Sequence, residues 1–242
     1  MLGSVRQLLN GDPSIGWLQP LPGEPPVDRR ETLLELASGR RVIHLGFTDD
    51  RQTEAKLRDG RWLHAALANV SSELVGLDLD VPGVEQAVGQ GYEAYLVDVQ
   101  DRLAVERLAL PPADLVIGGE IIEHVESPGL LLRAIKPLLK EDGLLVITTP
   151  NAYRIAGFLA PLLGEELIHP DHVGIHSIHT LRTLGERAGY RVDRLGYYQN
   201  SPTIDSTPAG LLAKLVRSLQ AAFLRFRPHW SDGIYAVYSL PT

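Results

Sequence analysis

A-D-L-V-I-G-G-E-I-I-E-H, residues Ala113 to His124, begins after Pro111-Pro112 as a short apolar run and stops on Gly118-Gly119. A run of that length between turn signals reads as a strand buried in a central sheet. Glu120, Glu123 and His124 follow at once. If a helical turn starts there, side chains three and four apart share a face. Two carboxylates and an imidazole then converge at the carboxyl end of one strand, the edge where open α/β sheets bind ligands. The pattern points to a metal or acid–base site.

The flanks alternate in the same way. Arg41 to Leu45 is a strand ending at Gly46, with a helix after it through Asn69. Leu74 to Leu79 is a strand ending in D-L-D, followed by a short helix through Gln90. Tyr92 to Val97 ends at Asp98, a crossover runs through Leu110, and a helix at about 127–140 leads to a strand at Leu144 to Thr148. Strands separated by helices are successive βαβ units, so the fold class is α/β: a doubly wound, Rossmann-like, mostly parallel sheet.

The last third is built differently. Asn151 to Ile178 is a long His-rich connection, and a connection of that length is usually functional. A helix from about Ser177 to Ala188 has Ser177 as its N-cap and Gly189 as its stop. Arg191 to Tyr197 and Ile234 to Ser239 close the chain as paired strands, the C-terminal one antiparallel. Between them, residues 208–226 form an amphipathic helix with Leu211, Leu215, Leu219 and Phe223 four apart. It is a lid, a homodimer contact, or a helix packed on its own domain. Residues 1–40 read as an extension: a short amphipathic piece, a Pro/Gly-rich segment from Gly11 to Pro26 in which Trp17 and Leu18 pack onto something, and a helix capped by Asp28. The expected division is that extension, then a domain over 41–242 with insertions at about 150–177 and 200–230.

Composition narrows the function classes. With a net charge of −7 over 242 residues and no basic run, a nucleic-acid surface is disfavoured. The absence of Cys removes disulfides, thiolate nucleophiles and Cys-ligated zinc. Met1 to Asn10 lacks the apolar centre of a signal peptide, and no run reaches the ~18–20 apolar residues of a membrane span. A soluble cytoplasmic protein is expected.

V-I-H-L-G at 42–46, V-G-L-D at 75–78, Asp98, and A-D-L-V-I-G-G-E at 113–120 together resemble the class I S-adenosylmethionine-dependent methyltransferases, from about Arg41 to Tyr197. The resemblance implies S-adenosylmethionine as cofactor. Gly46 and Phe47 would line its loop, Asp78 (with Asp80 as the alternative) would hold the ribose hydroxyls, and Asp98 and Val99 would sit at the adenine. Glu120 would face the amino group. Taken alone, Asp78 could equally be a helix N-cap. The first loop departs from the pattern: H-L-G-F-T-D-D, residues 44–50, keeps one glycine and places His44 where the family carries an acid. The dinucleotide fingerprint G-x-G-x-x-G is absent, and a fold that has lost its cofactor is the alternative.

Glu120-x-x-Glu123-His124 with a later Asp171-His172 is similar to the ubiquinone-biosynthesis O-methyltransferases and the small-RNA 2′-O-methyltransferases. That similarity implies a divalent metal, Mg²⁺ first, with Mn²⁺ or another first-row ion as alternatives, on Glu120, Glu123, His124 and His172. The competing reading is a segment that lines the pocket without metal. His169, His172, His176 and His179 crowd one region. His176, then His169, is the expected general base, while His179 and His64 read as structural. The strand ending G-G-E lacks the N-P-P-Y pattern of amino-group methyltransferases, which favours an oxygen acceptor. The expected reaction is metal-assisted O-methylation of a small polar diol, first a sugar or oligosaccharide of a methylmannose-type polysaccharide. The alternatives are metal-independent O-methylation of a quinone or natural-product phenol, and a non-catalytic partner subunit.

Overall fold

Apolar residues in the strands alternate between two buried clusters, and this sets the layers. Ile43, Leu45, Val116, Leu145 and Ile147 belong to one cluster. Their neighbours Val42, Leu115, Ile117 and Val146 belong to the other. A strand whose alternate residues are buried on opposite sides lies inside a sheet covered on both faces. The computed structural model describes residues 18–49, 53–200 and 218–241.

In chain order the elements are β1 (Val27–Asp28), α1 (Arg29–Ala37), β2 (Arg41–Leu45), α2 (Thr53–Arg58), α3 (Leu63–Ala68), β3 (Glu73–Asp78), α4 (Val81–Gly89), β4 (Glu93–Leu96) and α5 (Arg102–Arg107). They continue with β5 (Ala113–Gly119), α6 (Pro128–Ala134), β6 (Leu139–Pro150), α7 (Ile155–Leu159), α8 (Ile178–Arg187), β7 (Arg191–Gln199) and β8 (Gly233–Ser239). One eight-stranded sheet has the order β1-β7-β8-β6-β5-β2-β3-β4. β8 is antiparallel to both β6 and β7, and the other pairings are parallel. The doubly wound sheet with an antiparallel C-terminal strand is therefore as expected. The chain runs outward from β2 to β4 and returns through β5. The β2–β5 boundary is the topological switch point, and the crevice beyond it is where such sheets take ligands.

Three expectations change. The single helix expected after β2 is two, with Gly60 at φ +67° between them. No helical turn follows β5: Glu120 has φ +59° and residues 122–124 form a turn closed by the His124 N–H donating to the Ile121 carbonyl at 3.0 Å. Residues 27–40 are not a detached extension. β1 pairs with β7, and Leu33 and Ala37 of α1 are buried in the second cluster. α8 starts and stops as read, with a capping box at Ser177 and Gly189 at φ +81°. Of the expected helix at 208–226, residues 218–226 are helical. Its first part, the amphipathic piece at the N-terminus and Trp17 lie outside the described residues.

Candidate active site

The carboxyl ends of β2, β3, β4 and β5 open into a cavity of about 590 Å³. Gly46 stands at its floor with φ +60°, its N–H donating to the Leu77 carbonyl at 2.9 Å. A Cβ there would sit 3.0 Å from Ile121 Cδ1, so both the backbone angle and the space require glycine. Phe47 is 2% exposed, and its ring lies with Trp62 and His64. What it offers the cavity is backbone.

His44, the departure in the first loop, turns inward. Its Nδ1 is 3.2 Å from Nδ1 of His64, and the rings stack at 5.4 Å. Burial lowers both rings' pKa, that of His64 to about 4, and for His44 the His64 and Arg29 charges add to it. The pair stays neutral and fills a site beneath the loop, which agrees with the structural reading of His64.

Asp78 is bound more heavily than expected. Oδ2 accepts from the Thr48 N–H (2.9 Å) and hydroxyl (3.0 Å), and Oδ1 accepts from the N–H groups of Leu79 (2.7 Å) and Asp80 (3.0 Å). These bonds orient the carboxylate and tie the first loop to β3. A ribose diol would compete with the Thr48 hydroxyl for Oδ2. Asp98 accepts from the Gln100 N–H through Oδ1 at 2.8 Å, and it lines the cavity beside Val99. Asp80 does not line it.

Arg29 was missed in the sequence. It is the first residue of α1, and its Nε donates to the Thr148 hydroxyl at 3.0 Å, at the carboxyl end of β6. Its guanidinium passes where a Gly119 Cβ would be, 2.7 Å from Nη2. The second glycine of Gly118-Gly119 therefore admits a cation as well as ending a strand. Tyr198 was missed too: its buried hydroxyl donates to Glu120 Oε1, and the Arg29 guanidinium lies 5.8 Å from its ring centre. Burial and the Glu120 charge hold this phenol well above the usual tyrosine range.

The expected four metal ligands divide. Ligand atoms of Glu123, His124 and His172 lie within 4.8 Å of one another. Glu120 is not in that group; it lines the cavity, held by Tyr198. It leaves β5 at a positive φ, and its carboxylate is tied to the Tyr198 hydroxyl. Glu123 is 1% exposed: Oε2 accepts from the Thr149 hydroxyl at 2.9 Å, and buried Oε1 has no hydrogen-bond partner among the described residues. Burial, reinforced by the Glu120 charge, raises its pKa to about 7. His172 is lowered by burial and then by the His124 and His169 charges. A buried carboxylate oxygen without a donor, close to the ring nitrogens of two imidazoles, is a donor set that fits a divalent cation.

Of the two expected bases, His169 lines the cavity and His176 does not. His176 is 7% exposed, with its pKa lowered by burial and partly restored by a hydrogen bond to the Ile122 backbone. Its backbone bridges to Asn151. Bonded to the Ile122 backbone, it braces the turn after β5 and is kept out of reach of an acceptor in the cavity. His179 sits outside the cavity, 3.1 Å from the Pro20 carbonyl, in the structural role expected of it.

A family model described as a methyltransferase domain matches residues 28–195, more than half of the chain. The chain belongs to the methyltransferase-domain family. As a member of this family it is similar to a ubiquinone biosynthesis O-methyltransferase of Bordetella avium, at 30% identity over 58% of this chain and 56% of that protein. It is also similar to one of Paracidovorax citrulli, at 31% identity over 54% and 51%. The chain thus spans about half the length of these curated relatives. Among solved structures, the magnesium protoporphyrin IX methyltransferase of Synechocystis superposes with a TM-score of 0.54 at 12% identity, over 88% of this chain and 82% of that one. An S-adenosylmethionine-dependent methyltransferase of Mesorhizobium loti gives 0.53 at 17%, over 86% and 94%. At these identities the structures share the methyltransferase fold. No helix among the described residues is long and apolar enough to cross a membrane.

Proposed function

We propose that this methyltransferase-family chain transfers a methyl group from S-adenosylmethionine to one hydroxyl of a vicinal aromatic diol, with a divalent cation bound beside the donor. One juxtaposition carries the reading: Gly46, Asp78 and Asp98 share a cavity with Glu123, His124 and His172. The donor would supply an electrophilic methyl group, and a bound cation would supply Lewis acidity that lowers the pKa of an acceptor hydroxyl.

The chain's own residues do the rest. Asp78 would orient the ribose and Asp98 would accept from the adenine amine. Arg29 and Glu120, opposite charges on one wall, suit the carboxylate and ammonium of the methionine portion. Glu123, His124 and His172 would hold the cation. Fixing both reactants in one cavity supplies the alignment that an in-line displacement needs.

The names of the curated relatives favour a phenolic acceptor of the quinone-precursor type over the sugar expected first. The sugar reading has no residue or relative behind it, yet a sugar diol would present the same pair of oxygens. Calorimetry with S-adenosylmethionine, then a labelled-methyl assay over catechols and sugar diols before and after chelation, separates the readings. The expected result is donor binding, methylation of catechols, loss on chelation and recovery on adding a divalent ion. No heat with the donor would point to the non-catalytic alternative, and full activity after chelation would remove the cation.

A further inference from the structure

The segment His169-Pro170-Asp171-His172 is a tight turn, closed by the His172 N–H donating to the His169 carbonyl at 3.0 Å. Proline at its second position fixes φ there. The turn is pinned to the one after β5, because the N–H groups of Val173 and Gly174 both donate to the Glu123 carbonyl, at 2.9 and 3.1 Å. Two stapled turns therefore carry Glu123, His124, His169 and His172, and their spacing does not depend on a loose loop.

Three imidazoles gather there. Ring centres are 4.6 Å apart for His124–His172, 5.4 Å for His169–His172 and 6.0 Å for His124–His169. An ion about 2.1 Å from each ligating nitrogen puts ring centres about 4.5–5.2 Å apart for angles between square and tetrahedral. One pair is already inside that range, and the other two reach it by the swing of one side chain, His169. Its ring is 58% exposed and free to make that movement. Nδ1 accepts a long bond from the Asp171 N–H at 3.3 Å, with the Asp171 carboxylate 3.8 Å away. In the other tautomer Nδ1 carries the proton, gives up the Asp171 N–H and donates to the Asp171 carboxylate, which leaves the Nε2 lone pair for an ion, the arrangement by which a carboxylate fixes the tautomer of a metal-bound histidine. Glu120 is meanwhile held by Tyr198.

We propose that His169 is the fourth protein donor of the cation site, in the corner that sequence similarity gives to Glu120, and that the site therefore selects a first-row transition ion over Mg²⁺. The inference rests on the cation reading above and specifies its donors. Three imidazole nitrogens and one carboxylate suit ions such as Co²⁺ or Zn²⁺, whereas Mg²⁺ takes oxygen ligands and keeps its waters. It also assigns His169 to the ion and not to proton transfer.

The test is titration of the full-length, chelator-stripped protein with Co²⁺ and with Mg²⁺ by calorimetry, with the visible spectrum of the Co²⁺ form recorded alongside. Wild type, His169→Ala, Glu120→Gln and Glu123→Gln are compared, and circular dichroism checks the fold of each. The expected result is Co²⁺ binding at least ~100-fold tighter than Mg²⁺. His169→Ala should weaken Co²⁺ about 10- to 100-fold and alter the Co²⁺ bands, while Glu120→Gln changes Co²⁺ affinity by less than about twofold. If Co²⁺ binds in wild type and is lost in Glu123→Gln but unchanged in His169→Ala, His169 is not a ligand while the cation reading survives. A His169→Ala protein with an intact Co²⁺ spectrum and no turnover would make His169 the base and overturn the proposal. If neither ion binds wild type, the cation reading itself falls, and the proposal with it.

Discussion

Neither His44 nor His64 can take a proton in its buried site without cost, and that makes stability depend on pH in a definite direction. His64 titrates near 6.5 when unfolded and at about 4 in the fold. Its folded pKa is depressed, so its contribution is complete above pH 6.5 and is lost as pH falls toward 4. The shift corresponds to about 3 kcal/mol at most. Urea midpoints measured from pH 7.5 to 4.5 should fall more steeply for the wild type than for His64→Leu; parallel curves would remove the buried pair as the cause. Glu123 behaves in the opposite sense. Its folded pKa, about 7 against an ordinary 4.5, means that the fold favours the protonated acid. The resulting cost sets in above pH 4.5 and is complete above 7. Glutamine can still accept from the Thr149 hydroxyl, so Glu123→Gln should raise the thermal midpoint at pH 8 by the equivalent of about 1–3 kcal/mol and change it little at pH 4.5, while ending cation binding. A residue that weakens the fold when charged, and is needed charged, fits a functional site.

Elements whose signals are local were readable, and contacts between distant elements were not. β2 matches its expected bounds, and α8 matches its capping residue and stop, because strand period, an N-cap serine and a positive-φ glycine are properties of a few adjacent residues. Asp78 and Asp98 were legible as cavity-wall residues because each stands at a strand end, Asp78 as the last residue of β3 and Asp98 two residues past β4. That Glu120 stands apart from Glu123, His124 and His172 was not legible, because it leaves β5 at a φ of +59° and bonds a tyrosine 78 positions later. Arg29 was overlooked because its partner Thr148 is 119 residues away, and α1 read as part of an extension. Glycine patterns carry the same lesson, since two helical glycines that look alike in sequence face different surroundings. Gly185 on α8 faces Tyr238, whose hydroxyl is held by the Leu181 carbonyl at 2.7 Å; an added Cβ would lie 2.2 Å from the ring. Gly89 at the end of α4 has open space around it. Gly185→Ala should destabilise by about 1–3 kcal/mol through overpacking, and Gly89→Ala should stabilise by about 0.4–1 kcal/mol through the unfolded chain. Thermal denaturation of both variants checks the contrast, and a harmless Gly185→Ala would mean that α8 is not seated on β8 as described.

An early and a late segment of the chain meet behind the same wall of the cavity. Arg29 arrives from the helix after β1, and Tyr198 arrives from β7, the strand with which β1 pairs. Between them lies Glu120, held at an unfavourable backbone angle by the bond from Tyr198. The closing strands β7 and β8 thus do more than cover β6: through Tyr198 they tie down a carboxylate on the cavity wall. Tyr198→Phe tests this coupling, because the ring stays in the core and only the hydroxyl is lost. A net loss of stability of about 1.5–3 kcal/mol is expected from one hydrogen bond to a charged group. Binding of S-adenosylhomocysteine, read by calorimetry, should weaken about tenfold if that bond positions Glu120 for the ammonium. Arg29→Met should weaken it as well, and the double variant should fall short of the sum by more than about 0.5 kcal/mol, since the Arg29 guanidinium lies 5.8 Å from the Tyr198 ring centre. Strict additivity in that cycle, with unaltered homocysteine-product affinity in Tyr198→Phe, would reduce the tyrosine to a packing residue and leave Glu120 positioned by its own turn.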